Sequence, residues 1–261
     1  MEWQRAAVAS LHCANARRGS EVTIAAEASG LVVTGYLLVR RQLGAPAPLL
    51  PVDLLRIPMF SLSVVTSICS FAAQMLALVS LPFFLQGALG FTPVATGLLI
   101  TPWPLALAVA APVAGYLADR YPAGLLGAAG LVVFAAGLFS LALMPAHAGA
   151  IDIVWRMALA GIGFGLFQSP NNRAMITSSP RERSGGASGM LGTARLLGQT
   201  SGAALVALIF ARSAEHGETI SLYVAAGFAV LAAAVSSLRL LDRAGLAASG
   251  PLRETETAIG D

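Results

Sequence analysis

This chain has sixteen arginines and no lysine, and Arg156 and Arg195 are embedded in the two long apolar runs that flank a basic loop. Arg156 follows Asp152 by one helical turn, so the two share a helix face and can pair near the end of their run. Arg195 is different. It lies about eight residues, or roughly 12 Å, inside the run Ala187 to Ala211, deeper than a snorkelling side chain can fully compensate. A charge at that depth costs several kcal/mol unless it faces water or a partner, which makes it a functional candidate. No acidic residue inside the apolar runs can neutralise it, so its partner is a carbonyl, Gln199 or another polypeptide. Asp119 stands at a short joint between two apolar runs, where it can cap the free amides of the helix that follows. The three histidines, His12, His147 and His216, and the two cysteines, Cys13 and Cys69, form no metal-ligand spacing and no nucleophile–base set. Glycines fall within apolar runs rather than between a strand and a helix, so no phosphate loop is present. We therefore expect neither an enzyme nor a bound metal or cofactor.

The elements that position these residues are membrane spans. The chain has 261 residues, is 56% hydrophobic and only 11% charged; its mean hydropathy is +0.75. Soluble domains carry about a quarter charged residues, so this is an all-α integral membrane protein with the lipid bilayer as its first partner. The arginines are scattered between apolar runs without interleaved aromatic residues, which excludes a nucleic-acid surface. Six runs approach the roughly 20 residues needed to cross a bilayer: Ile57 to Leu85, Pro93 to Ala118, Ala123 to Met144, Ile151 to Pro170, Ala187 to Ala211 and Ile220 to Leu241. Between the fourth and fifth lies a basic loop, Asn171 to Gly186, holding Arg173, Arg181 and Arg183. Short loops rich in arginine stay cytoplasmic. Alternating the joints then puts Arg40, Arg41, Arg56, Arg120, Arg239, Arg243 and Arg253 on that side too, with Arg212 opposite. Residues 1–27 read as a polar, disordered leader. Residues 28–56 combine a partial span (Ala28 to Val39) with a Pro-rich cytoplasmic linker. The six-span unit covers 57–241, and 242–261 form a polar cytoplasmic tail.

Gly161 with Gly165, Gly185 with Gly189, and Gly198 with Gly202 are small-xxx-small pairs that let helix backbones approach closely, either for static packing or for a moving interface. Pro102, Pro104 and Pro112 interrupt the second span around Trp103, as a plain kink or as a cavity wall. Gln74, Met75, Trp103, Phe164 and Gln168, with Phe83, Phe84 and Phe167, could line a pocket for apolar cations or pack against helices and lipid.

Several of these stretches together resemble the C-terminal half of a drug:proton antiporter of the major facilitator superfamily, in its fourteen-helix branch. Ala47-Pro-Leu-Leu-Pro-Val-Asp-Leu-Leu-Arg56 is similar to the linker before that branch's last six helices, and Thr101-Pro-Trp-Pro104 to the kinked helix that follows. Gly115-Tyr-Leu-Ala-Asp119-Arg120 is similar to the superfamily's loop signature. Trp155-Arg156, Gly161-Ile-Gly-Phe-Gly165, Gln168-Ser-Pro-Asn-Asn172, Gly185-Gly-Ala-Ser-Gly189 and Ala194-Arg195-Leu-Leu-Gly198-Gln199 resemble the two helices after it. The resemblance covers residues 28 to 241. It implies a six-helix bundle, proton-coupled efflux of drugs or other small amphipathic compounds, a bacterial inner-membrane location and a cytoplasmic C-terminus. It also implies a conformational latch at Gly115, Asp119 and Arg120. The signature departs from the family after Asp119-Arg120, where Leu125 and Leu126 follow Gly124 in place of glycine and paired basic residues. The family's first six helices have no counterpart here, so the chain reads as a truncated half. Its expected partners are small amphipathic substrates, protons, and a missing N-terminal half or a second copy. The other reading is a non-transporting membrane fragment or partner subunit.

Overall fold

The computed structural model describes Arg40 and residues 52–145, 147–213 and 216–248, the last ten of these by backbone alone. The expected leader, the partial span at 28–39, most of the Pro-rich linker and the end of the tail lie outside the described residues. Met1–Leu50 and Pro51–Asp261 are separate units; everything below concerns the second.

Seven α-helices occur among the described residues: α1 (Pro58–Phe83), α2 (Pro93–Ile100), α3 (Pro102–Arg120), α4 (Ala123–Ala142), α5 (Ala150–Thr177), α6 (Ser184–Arg212) and α7 (Gly217–Ala248). Three of them begin on proline, where the missing amide costs nothing and the fixed φ favours helix. A π-helical turn, Phe84–Ala88, prolongs α1, and Gly90, at φ 70°, turns the chain back where a side chain would be strained. Thr92 then caps α2 by accepting from the Ala95 amide at 3.3 Å. The prolines of the second span divide it at Thr101, whose hydroxyl donates to the Gly97 carbonyl at 2.8 Å. Because Leu105 N–H still reaches the Thr101 carbonyl at 3.3 Å, α2 and α3 together form one span.

Among the described residues, six helices or helix pairs are long and apolar enough to cross a membrane: Pro58–Ala88, Pro93–Arg120, Ala123–Ala142, Ala150–Thr177, Arg181–Arg212 and Gly217–Leu238. The order of the six-run reading holds, with two differences at the ends. Pro170 does not stop the fourth span; α5 continues to Thr177, so Asn171 and Arg173 are helical and the joint shrinks to Ser178–Pro180 and a short 3₁₀ turn, Arg181–Arg183. Packing of Asn171, Ala174 and Met175 into the bundle outweighs the amide that proline removes. Likewise α7 runs on to Ala248, so residues 242–248 of the expected tail are helical.

The largest helix contacts run α3 on α5, α5 on α4, α4 on α7, α7 on α1 and α1 on α6, and α1 also touches α5. The order ends on α3 and α6, each with one extensive helix contact. In the apolar stretches of the first and third spans 61% of residues are buried, against 22% in the second and fifth. Between the helices a ladder of aromatic rings forms the core. Trp103 meets Phe134 at 5.7 Å, Phe134 meets Phe164 at 5.2 Å, and Phe164 meets Phe71 at 5.3 Å, edge to face.

Candidate functional site

Two groups of polar side chains mark the ends of the bundle and a third lies between them. At one end, Asp53 of the 3₁₀ turn before α1 accepts from Arg183 at 2.8 Å, and Asp119 near the end of α3 accepts from Arg173 of α5. This corrects the cap expected of Asp119. Residue 119 sits within the last turn of α3, and the residue that precedes α4 is Pro122, with no side-chain cap. Arg120 instead stacks on Tyr116 of its own helix, 4.7 Å from the ring centre. Gly115 faces α5 near the Ser169 hydroxyl. Both partners of the Asp119–Arg173 pair are more than half exposed, so it contributes little to stability and can break at small cost. Beside it, Met59, Tyr121, Pro122, Arg173, Thr177 and Ser178 help to line a cavity of about 380 Å³.

At the opposite end Asp152 and Arg156 pair at 3.2 Å as their spacing predicts. Arg156 also stacks on Trp155 at 5.0 Å, while the Trp155 indole N–H donates to Asp152 at 2.9 Å. The same guanidinium donates to the Ser140 carbonyl of α4. That carbonyl is an orphan of the helix end, since the Met144 amide turns instead to Leu141 at 3.2 Å.

Midway along the bundle, Arg195 projects from α6 into the open. Its guanidinium lies 5.5 Å from the centre of the Phe71 ring; it is exposed and has no carboxylate partner among the described residues. Gly198 and Gly202 set its position, because a Cβ at Gly198 would stand 2.6 Å from the Ile68 carbonyl and one at Gly202 2.6 Å from the Ala72 carbonyl. Glycine there lets α6 lie directly on α1. Gln74, Met75 and Gln168 are half-buried, whereas Trp103 and Phe164 are 2% and 1% exposed and belong to the aromatic ladder. The structure thus brings Arg195 to the Phe71 end of that ladder.

One buried polar contact escaped the sequence. The Asn171 carboxamide donates to the Ser67 hydroxyl at 2.7 Å and joins α5 to α1 within a serine-rich strip of α1, Ser63, Ser67 and Ser70, all buried. Its carbonyl oxygen has no donor among the described residues. The signal available was polar residues at helical spacing on an otherwise apolar span.

Residues 62–259 match the Major Facilitator Superfamily. The chain belongs to that superfamily. It is 65% identical over 224 residues, 85% of this chain, to the uncharacterized transporter YebQ of Escherichia coli strain K12, of which it covers 49%. With multidrug resistance protein Stp of Mycobacterium tuberculosis it shares 32% identity over 164 residues, 63% of this chain and 30% of Stp. With riboflavin transporter RibZ of Clostridioides difficile it shares 25% over 190 residues, 73% of this chain and 42% of RibZ. The chain therefore spans about half the length, or less, of these relatives. YebQ and RibZ are named as transporters and Stp as a multidrug resistance protein, and the superfamily match with six membrane-length helices makes this chain a multi-pass membrane protein.

Proposed function

We propose that this superfamily member acts in proton-coupled export of small amphipathic compounds across a bacterial inner membrane, as one six-helix half of the working transporter. The observation that carries the reading is the little-covered pair of helices α3 and α6, the second of which holds the exposed charge of Arg195 near mid-span. Transporters built of paired halves place their substrate site near the bilayer midplane between the halves, and a bare face with an unpaired arginine suits that place. The name of Stp, a multidrug resistance protein, supports drugs as substrates.

Proton coupling needs a group that titrates in the working range. Within the six spans Asp119, Asp152, Glu182 and Glu218 all lie close to helix ends and no histidine occurs, so the coupling group belongs to the companion, an N-terminal half in preference to a second copy. The arginine-rich end, with Arg173, Arg181 and Arg183, faces the cytoplasm, as does the C-terminus. The exposed Asp119–Arg173 pair there supports a latch at Gly115, Asp119 and Arg120, an ion pair that breaks and reforms as the halves move.

The test is a chimera that joins the part of YebQ outside the match to this chain, expressed in cells lacking their major exporters. Fluorescent amphipathic dyes of either charge report efflux. We expect protonophore-sensitive efflux from the chimera, none from the chain alone, and loss on Arg195→Leu at normal membrane abundance. Efflux by the chain alone, or none by an abundant chimera, would overturn the proposal.

A further inference from the structure

The pocket residues read from the sequence suggest apolar cations, but the charges of the folded spans point the other way. Arg195 lies about 16 Å along α6 from Ser184, far from either end of the span. Its guanidinium stays charged at any working pH and carries five donors in a planar fork. Phe71 offers that fork a π face but no hydrogen-bond acceptor. The shelf itself is rigid: Phe71 is 3% exposed and held edge to face by Phe164 at 5.3 Å. On the other side Gly198 sets α6 so close that a Cβ there would stand 2.8 Å from the Phe71 Cβ.

A fixed cation with unused donors, and with no carboxylate paired to it among the described residues, repels a cationic ligand and attracts an anionic one. Low-dielectric helix walls beside a wet cleft focus that field. We infer that the substrate of this face carries an anionic oxygen, as carboxylate, phenolate or sulfonate, which pairs with the Arg195 fork while its apolar body lies against the neighbouring helices. A carboxylate is the best match, because its two oxygens can take two parallel N–H donors. Half-buried Gln168 stands one turn along α5 from Phe164 and supplies an amide on the same helix face. The inference rests on the export reading only for placing a ligand on the α3–α6 face.

Equilibrium binding separates the two, since it needs neither a gradient nor transport. The chain is placed in nanodiscs of phosphatidylcholine and titrated with fluorescein and with rhodamine 123, which share a ring system and carry opposite charge. We expect saturable fluorescein binding about tenfold or more tighter than that of rhodamine 123. Arg195→Gln should erase the difference and Arg195→Lys should keep part of it. Arg212→Gln, which removes a cation at the end of α6, should change nothing. Equal affinities, a preference for rhodamine 123, or a fluorescein preference that survives Arg195→Gln would overturn the inference. A selective binder that fails to export would refute only the export reading.

Discussion

Arg156 illustrates how one side chain can serve two helices. Its pairing with Asp152 follows from sequence spacing, but its bond to the Ser140 carbonyl depends on the register of α4 against α5, which no local pattern encodes. With 13% of its side chain exposed, Arg156 closes the end of α4 with a positive charge where the helix dipole favours one. Arg156→Leu leaves that carbonyl without its donor and should lower stability by about 1–3 kcal/mol. Thermal unfolding in mild detergent would read this as a clear drop in midpoint. An unchanged midpoint would return the residue to a simple surface pair. Arg195 was legible for a different reason, because the scarcity of acids within the spans is a property of sequence alone. Asn171 was not: Pro170 before it signals a helix stop, and only the tertiary contact with Ser67 shows why the helix goes on.

Among the elements, glycine spacing told part of the story of helix contact. The pairs Gly161 with Gly165 and Gly198 with Gly202 do mark close approaches, on α3 and α1 respectively, whereas Gly185 and Gly189 face open space with no atom within 4 Å. The tightest contact, α4 on α5, uses Gly130, Gly137 and Gly163, none of which stood out. Gly130 and Gly137 are a full two turns apart within a run of small residues, and their partner face lies on a different helix. A Cβ on Gly163 would collide with the Phe134 backbone and lie 2.8 Å from the Gly130 carbonyl. Backbone cannot yield as a side-chain tip can, so Gly163→Ala should destabilise the bundle by about 1–3 kcal/mol. By contrast, Gly189→Ala should be neutral or stabilising by up to about 1 kcal/mol, since alanine favours helix. Chemical unfolding of the two variants in detergent measures the contrast. Equal stability of the two would show that α4 and α5 do not meet as described. Span number and order were legible because each span is a continuous apolar run of sufficient length; span ends were not, since polar residues near them continue as helix once packed.

For the bundle as a unit, we propose that α3 and α6, with Arg195, border the wet and working side, while α4 and α7 turn their exposed sides to lipid. Sequence established the class of protein and the presence of a mid-span charge, but both helix pairs are apolar with scattered polar residues. Which of them is left uncovered emerges only from the packing order α3–α5–α4–α7–α1–α6. The most direct test is cysteine accessibility at matched depth, in membranes from cells expressing a chain whose Cys13 and Cys69 are replaced by alanine. Gln199→Cys places a thiol at the middle of α6, one turn from Arg195; Val132→Cys places one at the middle of α4, where the native side chain is 59% exposed. A charged, membrane-impermeant methanethiosulfonate should label position 199 and leave 132 unlabelled, with both thiols reacting after solubilisation in denaturant. Labelling of 132 but not 199, or equal labelling of the two, would contradict the account.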